Sequence, residues 1–141
     1  MEEYVWDESV RTGHDMIDEQ HKQLFAAINH LLKACQENKG KDELTQSLNF
    51  LNDYTIRHFF DEEQVQRKCN YPDYPRHKKL HDDFKATVRD LKVQLIMKGP
   101  SEALINEVRS KIGDWLVTHI KGNDIKLAAY VEQQSSPSGS R

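Results

Sequence analysis

Apolar residues recur along this chain at steps of three and four, in four separate blocks. The first runs from about Asp18 to Asn38 and carries His21, Leu24, Phe25, Ile28, Leu31, Leu32 and Cys35. The second, from about Asp42 to Lys68, reads Leu44, Leu48, Leu51, Thr55, His58, Glu62 and Val65. The third, from about Tyr74 to Lys98, carries His77, His81, Phe84, Val88, Leu91 and Leu95. The fourth, from about Ser101 to Lys121, carries Leu104, Val108, Ile112, Trp115, Leu116 and His119. Such spacing lines one face of a helix, and no window shows the alternation of a strand.

The breakers fall between the blocks. Asn38-Lys39-Gly40, Pro72 with Pro75, and Gly99-Pro100 separate them. Four helices joined by short turns predict an all-α, up-down-up-down four-helix bundle. Asp18 is the expected N-cap of the first helix. Residues 1–17 form an arm whose Tyr4, Val5 and Trp6 are expected to pack on the bundle. Residues 1–132 are read as one domain. Residues 133–141, QQSSPSGSR, are of low complexity and read as a disordered tail.

Polar residues interrupt these stripes at particular places. His58 and Glu62 follow one another on the second stripe, and His77 and His81 open the third. His21 opens the first and His119 closes the fourth, with Asp124 just past the expected helix end. In an antiparallel bundle all of these positions lie at one end and meet in one layer.

Taken singly, each histidine on an apolar face reads as a hydrogen-bonded core residue, and an i,i+4 His pair arises by chance. Taken together they do not. A buried Glu62 without a cation costs several kcal/mol or takes up a proton. Five histidines and two acids in one layer multiply that cost, and a bound metal removes it. Seven ligands exceed the needs of one ion and suit two ions sharing carboxylates. The two cysteines, Cys35 and Cys69, lie far apart, which disfavours thiolate sites. Mixed imidazole and carboxylate ligation suits iron first, then manganese or zinc.

Composition narrows the partners. The chain has 141 residues, 37% apolar and 30% charged, with a net charge of −3 from interspersed acids and bases. That balance gives no basic face for nucleic acid and no anchor for an anionic membrane. No apolar run approaches the ~20 residues of a membrane span, and the acidic start MEEYVWDE does not read as a signal peptide. A cytoplasmic location is expected.

Five segments in order also resemble the hemerythrins, in particular the single-domain bacterial kind. They are the arm with Trp6 and Gly13-His14, IDEQHKQLF at 17–25, HFFDEE at 58–63, YPDYPRHKKLHDDF at 71–84 and WLVTHIKGND at 115–124. The resemblance spans about residues 4–130. It implies two iron ions bridged by Glu62, Asp124 and an oxo or hydroxo group. One iron would take His77, His81 and His119, and the other His21 and His58, which leaves one open position. Dioxygen would bind there end-on as a hydroperoxide.

The implied function is reversible dioxygen carriage, storage or delivery to an oxygen-using enzyme, without catalysis, by a monomer or weak homo-oligomer. The alternatives are a di-iron redox enzyme (oxidase, peroxidase or nitric-oxide handling) and an oxygen or redox sensor. The short tail, with no output domain, favours a carrier over a sensor. Phe59, Trp115 and Leu116, beside the ligands, are expected to wall the oxygen pocket. Many relatives carry methionine where this chain has Gln66. Its amide is expected either to hydrogen-bond the bound species or admit water, or to turn outward without effect. Glu63, Asp61 and Asp18 are expected to be caps or exposed acids, His30 a solvated residue, and His14 a rim residue at most.

Overall fold

The computed structural model describes residues 3–135. Helix α1 spans Asp15–Gln36, α2 spans Lys41–Lys68, and α3 spans Tyr74–Lys98. The fourth, α4, runs without interruption over 102–135 but changes its winding along the way. It is α-helical over Glu102–Glu107, Trp115–His119 and Ile125–Ser135, and π-helical over Val108–Asp114 and Ile120–Asp124. Among the described residues there is no strand, as the absence of alternation predicts.

The turns are short because the chain caps itself. Asn38 and Asn70 take up left-handed backbone (φ 54° and 53°) just past α1 and α2. Lys39 N–H then bonds the Ala34 carbonyl at 3.1 Å, and Tyr71 N–H the Gln66 carbonyl at 2.9 Å. This closes each helix end with a pattern that an αL residue makes possible. Gly99 ends α3 with φ 74°, and Ser101 starts α4 by accepting from Leu104 N–H. The third helix therefore begins and ends, and the fourth begins, where the breakers predict.

Two boundaries differ from the sequence expectation. Helix α1 starts three residues early, capped by His14, whose Nδ1 accepts from Ile17 N–H at 3.4 Å. Asp18 instead turns back to the arm. It accepts from Thr12 N–H (2.8 Å), Thr12 Oγ1 (2.8 Å) and Gly13 N–H (3.0 Å). At the other end, the fourth helix runs on past its expected stop near Lys121, and residues 133–135 continue it. The rest of the expected tail, 136–141, lies outside the described residues.

The stripes face inward. Leu24, Ile28, Leu31, Leu44, Leu48, Leu51, Leu91, Leu95, Val108 and Ile112 are all buried in one cluster. Each such side chain contributes about 1.5–3 kcal/mol of hydrophobic stabilisation on burial. The arm crosses this bundle and is tied down by Tyr4. The Tyr4 backbone N–H donates to Asn29 Oδ1 (2.8 Å), and Asn29 Nδ2 donates to the Tyr4 carbonyl (2.7 Å). The Tyr4 ring lies against Gly113 so closely that a Cβ there would overlap it. Val10 is buried and Trp6 sits beneath the Lys22 ammonium at 4.5 Å, whereas Val5 is exposed.

Candidate metal centre

The winding of α4 positions the last two polar residues of the layer. His119 and Asp124 are five residues apart, which in a regular α-helix turns their side chains about 140° away from each other. The π turn Ile120–Asp124 takes up the extra residue, and both side chains point into the bundle. Asp124 thus lies inside α4 rather than past its end, and it is fully buried. Arg76 reinforces this corner by donating to Asn123 Oδ1 at 2.6 Å from the start of α3.

All seven residues converge. Glu62, His77, His81, His119 and Asp124 form one group, and His21, His58, Glu62 and Asp124 a second, with the ligand atoms of each group within 4.8 Å of one another. The two carboxylates belong to both groups, and they divide their oxygens. Glu62 Oε1 lies 3.1 Å from His77 Nε2 and 3.1 Å from His81 Nε2. Its other oxygen, Oε2, lies 3.4 Å from His58 Nε2 and 4.0 Å from His21 Nε2. Asp124 Oδ1 approaches His77 and His119 (3.0 and 3.2 Å), while Oδ2 approaches His21 at 2.9 Å.

These contacts are close without being satisfied. Both Glu62 oxygens, Asp124 Oδ2 and the Nε2 atoms of His21, His58 and His81 are buried without a well-aligned hydrogen bond among the described residues. Their lone pairs converge on the space between them, which is the arrangement cations satisfy and neighbouring protein groups do not. The set therefore fits two metal ions.

Surrounding side chains fix how the imidazoles point. His58 Nδ1–H donates to Gln20 Oε1 at 2.7 Å, and Gln20 Nε2 donates onward to Asp61 at 2.8 Å. His81 Nδ1–H donates to Glu63 Oε2 at 2.9 Å. Each bond reserves the Nε2 lone pair for the centre and makes it more basic. Glu63 is thus buried and engaged rather than exposed. Gln20 was not anticipated at all. A buried carboxylate or amide beside a ligand is the signal for such a group, but only the packing of α1 on α2 reveals it.

The electrostatics show how strongly the set is coupled. Burial and the neighbouring Asp124 charge push the Glu62 carboxyl up, yet the imidazoles of His58, His77 and His81 outweigh both and hold it well below the usual range. Burial likewise opposes ionisation of Asp124, and His119, His21 and His77 overcome it. Burial pulls His77 down, but Asp124 and Glu62 prevail and raise it to about 9. His58, wholly enclosed, is pushed below its ordinary value by burial. Without cations the protein must keep some imidazoles protonated to match its two carboxylates.

Two of the residues expected to wall the pocket, Phe59 and Trp115, lie against the ligands. Phe59 is buried and stacks flat on His81, with centroids 3.8 Å apart and planes at 4°. Trp115, half-buried, stacks on His119 at 4.6 Å and on Phe84 at 4.3 Å. Leu116 is buried in the same apolar cluster as Phe59 and Phe84. Gln66 is fully enclosed, which removes the expectation that it might turn outward. His30 is exposed, as expected, and Cys35 is buried in the core.

The family model of the hemerythrin HHE cation binding domain matches residues 12–131. The chain belongs to the hemerythrin family. It is 35% identical over 123 residues to myohemerythrin of Riftia pachyptila, covering 87% of this chain and 89% of that one. With bacteriohemerythrin of Stenotrophomonas maltophilia it shares 30% identity over 129 residues, 92% and 80% of the two chains. A crystal structure of wild-type hemerythrin superposes with a TM-score of 0.79 at 27% identity, over 91% of this chain and 97% of that one. Hemerythrins hold a di-iron centre, and the cluster of histidines and carboxylates described above is able to hold metal ions. Among the described residues no helix is long and apolar enough to cross a membrane.

Proposed function

We propose that this protein binds dioxygen reversibly at a pair of irons, as a carrier or store. Hemerythrin membership supports a di-iron oxygen-binding protein, and the reading beyond that rests on one observation. Two ligand groups share Glu62 and Asp124, each carboxylate giving one oxygen to either side. His77, His81 and His119 complete one side with five protein donors, and His21 and His58 complete the other with four. The side with four protein donors is where a small ligand has room.

Two irons held by His21, His58, Glu62, His77, His81, His119 and Asp124 would supply the redox chemistry of reversible dioxygen binding. The chain's own contribution is order and dryness. Gln20 and Glu63 hold His58 and His81 in one tautomer and one orientation. Phe59, Trp115 and Leu116 cover the centre with apolar surface, which excludes water and slows side reactions. Delivery of oxygen to an oxygen-using enzyme in the cytoplasm is the role we attach to this chemistry.

The iron-loaded protein should take up one dioxygen per chain and return it when the gas is removed, over repeated cycles. Steady consumption of oxygen with an added electron donor would instead mark a di-iron redox enzyme.

A further inference from the structure

One buried polar side chain next to the centre takes no part in it. Gln66 is 0% exposed, and neither its Oε1 nor its Nε2 has a hydrogen-bond partner among the described residues. An enclosed amide left wholly unmatched costs about 1–3 kcal/mol for each unmet group. A small polar molecule held by that amide would remove the cost.

The surroundings say where such a molecule comes from. Gln66 lines a cleft of about 370 Å³ together with Arg67, Asn70, Tyr71, Tyr74 and Pro75. The cleft lies at the turn between α2 and α3, where Asn70 reverses the chain and the exposed Arg67 stands at the rim. On its inner side Gln66 is one helical turn beyond Glu62 and shares its face of α2. Tyr71, from the same cleft, meets the His77 ring edge-on with centroids 6.4 Å apart. Gln66 therefore stands between a cleft at the surface and the two groups of ligands.

An amide offers one donor face and one acceptor face, and water, which both donates and accepts, matches both. Buried polar sites of this kind ordinarily hold an ordered water with two to four partners. We propose that the α2–α3 cleft is the route by which water reaches the metal centre, and that Gln66 holds a water molecule at its inner end. Gln66 is then a positioning residue. It sets how often solvent visits a site that Phe59, Trp115 and Leu116 otherwise keep dry.

This inference rests on the metal reading, so its test measures both. The protein is loaded with manganese(II), metals per chain are counted, and the longitudinal relaxation of bulk water protons is recorded. Exchange of water through the cleft gives strong enhancement in the parent. Gln66→Met, of similar length but apolar, lowers it severalfold at unchanged metal content. Arg67→Trp, which fills the mouth from an exposed helical position, lowers it too without touching the core. Fewer than two metals in the parent overturns the metal reading and this proposal with it. Two metals with equal relaxation in parent and variants overturns the water route alone. A fall with Gln66→Met but not with Arg67→Trp removes the cleft as the route.

Discussion

Glu62 and Asp124, from different helices, present themselves to the same two sets of histidines, each with one oxygen toward either set. This division explains why two acids are tolerated side by side in the core of a small bundle. A pair of cations held by both would turn mutual repulsion into shared attraction. Glu62→Gln and Asp124→Asn should each lower bound iron from two per chain to one or none, as read by elemental analysis of protein loaded under anaerobic conditions. Retention of two irons in both variants would mean that the carboxylates do not join the metals.

The residues behind the histidines should matter almost as much as the histidines themselves. Gln20 holds His58 and Glu63 holds His81, each through Nδ1. Gln20→Leu and Glu63→Leu are expected to weaken metal binding by about 10–100-fold, the usual effect of losing a group that orients a ligand. Competition with a chelator measures it. Unchanged affinity would reduce both to ordinary packing.

Metal uptake should depend on pH in a definite sense. The carboxylates raise His77 to about 9, above its ordinary 6.5, so the metal-free protein carries a proton there at neutral pH. Loading must displace it. Affinity should therefore climb with pH up to about 9, and loading at pH 7 in weak buffer should release protons. Flat affinity between pH 6.5 and 9 would contradict the electrostatic picture of the site.

Tyr4 and Gly113 form the joint between arm and bundle. Gly113→Ala should destabilise the protein by about 1–3 kcal/mol, since the new methyl overlaps the Tyr4 ring. With Tyr4→Ala already in place, the same change should be neutral or favourable, because alanine suits a helix better by about 1 kcal/mol. A double-mutant cycle by chemical denaturation distinguishes these outcomes. Additive effects would mean that the two residues do not meet.

The same tyrosine gives an alkaline signature. Burial, then the bond to Asp114, raises its phenol from 10 to about 12. A raised value stabilises the fold fully below pH 10 and loses that contribution as pH rises toward 12. Tyr4→Phe should accordingly show a shallower fall in stability between pH 10 and 12 than the parent, followed by thermal melting.

Much of this was legible in the chain. The 3-4 stripes and the breakers between them dictate four antiparallel helices, and that geometry alone brings His21, His58, Glu62, His77, His81 and His119 to one end. Asp124 was legible as a candidate but not in its setting. Its five-residue spacing from His119 does not fit a regular helix, and the π turn that accommodates it is not encoded in hydrophobic periodicity. Asp18 read as a cap because of its position and proved to be the anchor of the arm, with His14 taking the cap. Gln20 and Glu63 stayed hidden because their work depends on which neighbouring helix they face. Lateral packing decides that, and a one-dimensional pattern does not carry it.

Sharing of Glu62 and Asp124 by two metals is tested most directly by Mössbauer spectroscopy of the fully oxidised, iron-loaded protein, with the iron content determined on the same sample. Two irons per chain, both high-spin ferric and coupled to a diamagnetic ground state, is the result expected. One iron per chain, or two that behave as isolated paramagnetic ions, would contradict it.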